Sequence, residues 1–66
     1  MDLSVVIIED HPNYRHSLET LFKYAEGFYL ATSFGSAQAA VYEVERQWRD
    51  GTSPRWDLVL MDIDLP

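Results

Sequence analysis

The sequence predicts an α/β fold, a β-α-β-α-β unit with a parallel sheet of order 2-1-3. Three observations carry that expectation. Two short runs, Val5-Val6-Ile7-Ile8 and Leu58-Val59-Leu60-Met61, are uniformly apolar, as strands covered on both faces must be. Between them lie two stretches whose apolar residues recur at helical spacing, parted by a short segment rich in strand formers. Strands alternating with helices imply parallel pairing through right-handed crossovers.

The first strand, Val5 to Ile8, ends abruptly in Glu9-Asp10. Pro12 has the fixed φ that suits a first helical turn. Tyr14, Leu18, Leu21, Phe22 and Ala25 then form one stripe, and Gly27 supplies a left-handed stop, so the first helix is expected over 12–26. Phe28 to Ser33 reads as the second strand, more polar than the other two and therefore an edge. Phe34-Gly35-Ser36 reads as a turn, with Ser36 as the cap of a second helix. Ala37, Ala40, Val41, Val44 and Trp48 give that helix its apolar stripe, and Gly51 closes it. Gly51 to Arg55 has loop composition, and Leu58 to Met61 is the third strand. Order 2-1-3 sets the two helices on opposite faces of the sheet.

Sixty-six residues allow one small domain, which buries only about 60% of the surface of its unfolded chain. The chain has no cysteine, so neither disulfides nor a zinc-type Cys/His site can staple it, and a reducing cytoplasmic setting is expected. A hydrophobic fraction of 47% argues against disorder. Eleven acidic residues against five basic ones, a net charge of −6, argue against a grip on nucleic acid or an anionic membrane, since both need a basic face. No apolar run is long enough to span a bilayer. The start, Met1-Asp2-Leu3-Ser4, lacks the positive charge of a secretory signal.

In open parallel sheets, ligands bind beyond the carboxyl ends of the strands where strand order reverses. Both inner strands end there in acid, Glu9 and Asp10 from the first and Asp62 from the third. Adjacent strands lie about 4.8 Å apart. Carboxylates so placed repel unless a cation joins them or one takes up a proton. A hard divalent ion such as Mg²⁺ suits that donor set, and the spacing points to metal-assisted phosphoryl chemistry.

Two segments, Val5-Val6-Ile7-Ile8-Glu9-Asp10-His11-Pro12 and Asp57-Leu58-Val59-Leu60-Met61-Asp62-Ile63-Asp64-Leu65-Pro66, resemble the receiver domain of two-component response regulators. The resemblance implies a doubly wound, flavodoxin-like fold in truncated form, because the 66 residues correspond to the first half of that domain, strands one to three and helices one and two. It implies that Asp62 is the phosphate-accepting aspartate. Glu9 and Asp10 would hold Mg²⁺ together with Asp62, and the backbone carbonyl of Asp64 would add a further oxygen. The donor would be a sensor histidine kinase or a small phosphodonor, and the domain would be a signalling acceptor rather than a conventional enzyme. Asp10-His11-Pro12 with Arg15, Leu18 and Leu21 further resembles the LuxR-type subclass, whose members regulate transcription by binding DNA through an output domain that these residues do not contain. The family's hydroxyl residue after strand four and lysine after strand five have no counterpart, so a competent switch is not expected.

Leu58 to Met61 at a bare sheet edge predicts that the chain pairs with something, as a homodimer running 2-1-3-3′-1′-2′ or by exchange through strand three, unless the chain is a fragment of a longer protein whose remainder was cleaved, deleted or disordered. Asp62-Ile63-Asp64 is also similar to the nucleophile motif of haloacid-dehalogenase-type phosphohydrolases, which would make Asp62 nucleophile and Asp64 general acid. That alternative leaves Glu9-Asp10 unused. A purely associative module is the third reading. His11 reads as a residue leading into the first helix whose charge is merely favoured by the nearby carboxylates, and His16 as a polar-face residue without a role. Trp48 and Trp56 read as packing aromatics. Arg15, Arg46 and Arg49 read as solvated helix charges, with Tyr14 and Arg15 able to join a kinase-docking face. Asp2 and Asp57 flank strand starts, and Asp50 is a solvent-facing acid.

Overall fold

The computed structural model describes residues 2–61. Its elements run β1 (Leu3–Ile8), α1 (Pro12–Tyr24), β2 (Phe28–Phe34), α2 (Ala37–Arg49) and β3 (Leu58–Met61). The three strands form one parallel sheet of order β2-β1-β3, as the apolar runs predict. β1 begins two residues earlier than its apolar run, β2 continues through Phe34, and α1 stops at Tyr24 rather than 26. Gly27 then takes φ +86°, the left-handed region that an L side chain rarely adopts.

β1 is the spine. Val5, Val6 and Ile7 have no exposed surface, and burying each such side chain contributes about 1.5–3 kcal/mol. Alternation sends Leu3, Val5 and Ile7 to one face and Ser4, Val6 and Ile8 to the other. Val6 and Ile8 pack with Ala40 of α2, flanked by Phe34 and Trp56. On the opposite face α1 lies over β1 and β2, with Phe22 meeting Phe28 edge-on at 5.6 Å.

The strand β2 contains an irregularity absent from the sequence expectation. Val5 pairs with Leu30 but Val6 pairs with Thr32, so Ala31 is an extra residue, a bulge. The bulge reverses the alternation of everything after it. Phe28 ahead of it faces α1. Beyond it, Ser33 still reaches α1, donating its hydroxyl to the Glu19 carboxylate, while Phe34 turns to Trp56 on the α2 face, ring centroids 5.7 Å apart.

The helices pack less deeply than their stripes imply. No residue of α1 is buried. Leu18, Phe22 and Ala25 are half-buried, whereas Tyr14 and Leu21 of the expected stripe are largely exposed. A sheet of three strands supports the centre of that stripe and leaves its margins over solvent. In α2 the Ser36 hydroxyl caps the helix, accepting from Ala39 N–H at 3.1 Å, as expected of a serine there. Ala40 alone is buried in α2, its small side chain allowing close approach to Val6 and Ile8. Trp48 corrects the packing expectation, being 66% exposed, on the wall of an open cleft that Ile8, Trp56 and Met61 also line. Trp56 does pack as expected.

β3 is fastened to β1 at its start. The Ser4 N–H donates to Asp57 Oδ2 at 2.8 Å, and the Ser4 hydroxyl donates to the Arg55 carbonyl. Asp57 N–H donates back to Ser4 Oγ at 3.0 Å. This clasp sets the register Val5↔Leu58, Val6↔Val59, Ile7↔Leu60, Ile8↔Met61. Among the described residues no helix is long and apolar enough to cross a membrane.

Candidate functional site

The site lies where β1 leaves the sheet, between its two parallel neighbours. Glu9 continues β1 by one hydrogen bond, its N–H donating to the Phe34 carbonyl at 3.0 Å. That bond holds the backbone in line with the strand, so the Glu9 side chain is carried inward and is only 2% exposed. Asp10 and His11 follow in the turn to α1 and are exposed. Pro12 opens the helix at its first position, and His11 stands at its N-cap without a side-chain capping bond.

A carboxylate as buried as Glu9 needs partners. The His11 N–H donates to Glu9 Oε1 at 3.0 Å, and His11 Nδ1 lies 3.0 Å from the same oxygen. Nδ1 is also 3.0 Å from Asp10 Oδ1. One ring nitrogen therefore stands between two carboxylates, and ligand atoms of Glu9, Asp10 and His11 all lie within 4.8 Å of one another. The His11 ring further meets Tyr14 edge-on at 5.7 Å. His11 is thus more than a residue leading into the helix: its main chain and ring organise the acidic pair.

The donor chemistry fits a hard cation. Glu9 and Asp10 offer carboxylate oxygens from consecutive residues, one inward and one exposed, leaving room for retained waters as Mg²⁺ prefers. His11 contributes a nitrogen that such an ion does not require, and it serves instead to orient the oxygens.

Arg15 holds the turn from below. Its guanidinium Nη1 donates to the Glu9 carbonyl at 3.0 Å, which corrects its reading as a solvated charge. The same Nη1 would lie 3.1 Å from a Cβ placed on Gly35. Glycine at 35 therefore lets the guanidinium pass between the β1–α1 turn and the β2–α2 turn. The signal was present in the sequence as a glycine following a strand, but the partner across the fold was not.

The remaining charges behave as solvated faces. Arg46 pairs with Glu43 at 2.6 Å and with Asp50 at 3.1 Å. The hydrogen bond from Arg46, helped by one from Gln47, holds the Glu43 carboxyl down to about 2. Arg49 lies 6.0 Å from the Tyr42 ring centre, and His16 is 3.8 Å from Glu19.

Two of the sequence-derived site residues, Asp62 and Asp64, lie outside the described residues. The register does bring Met61, the residue preceding Asp62 in sequence, beside Ile8, the residue preceding Glu9. Comparison with known proteins adds no relative: no family model, no curated protein and no solved structure matches this chain.

Proposed function

We propose that the chain is a phosphoacceptor module of the receiver type, in which Asp62 takes a phosphoryl group beside a Mg²⁺ site built on Glu9 and Asp10. The observation that carries this reading is the organised acidic pair at the carboxyl end of the central strand, at the point where the order β2-β1-β3 reverses direction. A buried glutamate fixed by a neighbouring main-chain N–H is a costly arrangement for a strand end that merely enters solvent.

In this reading an oxygen of the Asp62 carboxylate forms a bond to phosphorus as the P–N bond of a phosphohistidine donor breaks, the electron pair leaving with the imidazole. The chain's own residues supply position. Glu9 and Asp10 would hold the ion, and Arg15 and His11 would keep the turn that carries them in place. The bound ion supplies positive charge where the phosphoryl oxygens gather, so the contribution is electrostatic and geometric. The partner would be a sensor histidine kinase.

The test is incubation of the full chain with acetyl phosphate and Mg²⁺, read by intact mass and by lability of the adduct to hydroxylamine. One phosphoryl group is expected on the native chain and none on Asp62→Asn. Asp10→Asn should slow labelling and raise the Mg²⁺ requirement. Continuous turnover of a phosphate ester, lost in Asp64→Asn, would replace this reading with the hydrolase one. Labelling that survives Asp62→Asn would remove it altogether.

A further inference from the structure

Glu9 is gripped through its main chain at both ends. Its N–H donates to the Phe34 carbonyl at 3.0 Å. Its carbonyl accepts from Arg15 Nη1 at 3.0 Å, and that nitrogen rests over Gly35, the residue after Phe34. The peptide unit running from the Glu9 carbonyl to the Asp10 Cα is planar and rigid. Fixing both the N–H and the C=O of Glu9 therefore fixes its two backbone torsions, and with them the point from which the Asp10 side chain departs. Asp10 is 63% exposed, so little packing is present to place its carboxylate. The main chain has to do it.

Arg15 is half-buried, and among the described residues it makes no ion pair with a carboxylate, although the chain has eleven of them. Its guanidinium goes instead to a neutral carbonyl. Coulomb's law alone makes a positive group beside a cation site oppose the ion, so charge does not explain an arginine here. Geometry does: a planar guanidinium on a long stem holds a fixed carbonyl in a way that a compact, freely turning ammonium does not. Gly35 completes the fit. A Cβ at 35 would stand 3.1 Å from Nη1, inside the ordinary contact distance of about 3.5 Å. The backbone at Gly35 does not call for glycine, since Gly27 and Gly51 are the glycines with positive φ. What leaves no room for a side chain at 35 is the guanidinium.

We infer that Arg15 is a positioning residue for the cation site, and that Gly35, which offers no ligand, is the seat that keeps it in place. This rests on the reading of Glu9 and Asp10 as holders of the ion. It adds the β2–α2 turn to the site, so that a change at 35 alters cation affinity without touching a ligand. A side chain there pushes the guanidinium off the Glu9 carbonyl, frees the Glu9–Asp10 peptide to turn, and lets the two carboxylates drift apart. Groups that orient metal ligands typically carry about 10–100-fold in affinity. The sign separates the two roles of an arginine. Removing a repelling charge would tighten the ion, whereas removing a positioning group loosens it.

Binding of Mn²⁺ to the full 66-residue chain tests it, read from the electron paramagnetic resonance signal of the free ion with Mg²⁺ as competitor. Asp10→Asn sets the level of binding by the other carboxylates. Arg15→Met, which keeps the apolar stem and drops the charge, should weaken binding about tenfold while circular dichroism stays native. Arg15→Lys, which keeps the charge, should also weaken it. Gly35→Ala should cost about threefold, because a hydrogen bond stretched by a few tenths of an ångström weakens but survives. In the Arg15→Met background Gly35→Ala should cost nothing, since the group it displaces is gone. Should Arg15→Met fail to fold, Arg15→Lys and Gly35→Ala decide. A native chain that binds Mn²⁺ while the Arg15 variants bind it as tightly or more tightly would overturn this inference and leave the cation site standing. So would a Gly35→Ala effect that is equal in both backgrounds. A native chain that binds no Mn²⁺ above the Asp10→Asn level would overturn the inference and the site together.

Discussion

The clasp between β1 and β3 offers the sharpest test of how the fold is held. Ser4 is 1% exposed, and its hydroxyl both donates to the Arg55 carbonyl and accepts from Asp57 N–H. Ser4→Ala deletes both bonds and takes the hydroxyl from the Arg55 carbonyl, while Asp57 N–H keeps its bond to the Ser4 carbonyl at 3.1 Å. Two net hydrogen bonds at about 1 kcal/mol each give a loss of about 2 kcal/mol. In a domain of this size that lowers the melting temperature by about 8–16 °C. Asp57→Ala removes a charge-assisted bond to Ser4 N–H at a more exposed position, for about 1 kcal/mol. The two sites share partners, so their effects should not add, with a coupling of about 0.5 kcal/mol or more. Urea unfolding of both single variants and the double variant, at one protein concentration, measures all three quantities. A Ser4→Ala variant as stable as the native chain, or strictly additive effects, would show that β3 is held by its apolar contacts and not by the clasp.

Ile7→Ala, at a position with no exposed surface, should cost about 2–5 kcal/mol, much of the total stability of so short a chain. Leu21→Ala, 60% exposed despite lying on the same expected apolar stripe as Phe22, should stay within about 0.5 kcal/mol of native; chemical denaturation of the pair checks the contrast. The Glu43 carboxyl is held at about 2 against an ordinary value of 4.5, so its stabilisation is fully present above 4.5 and lost as pH falls toward 2. Acid unfolding followed by circular dichroism should therefore show a later decline in the native chain than in Glu43→Gln, and the difference should shrink in high salt because the pair is on the surface.

Strand order and helix placement were legible because they depend on gross features. Val5 to Ile8 is apolar on both faces, which only a central strand can use, and the polar β2 could then stand only at an edge. Ser36 and Gly27 punctuate the chain through local backbone chemistry, visible in a few neighbouring residues. What escaped depends on pairs far apart in sequence. The reach of Arg15 to the Glu9 carbonyl, past Gly35, requires knowing that two turns converge. The burial of Glu9 follows from one hydrogen bond to Phe34, and no periodicity announces it. The bulge at Ala31 is likewise set by the pairing of β2 with β1. The exposure of Tyr14, Leu21 and Trp48 reflects how much sheet lies beneath each helix, a quantity that helical spacing does not encode.

The extra residue at Ala31 also makes the two margins of the sheet unlike. One margin is kinked and carries Tyr29, Thr32 and Ser33, a poor template for another strand. The other is short, straight and oily. A ribbon with two receptive borders can add units without end, as fibrils do. The kink at Ala31 withdraws the β2 border from that role.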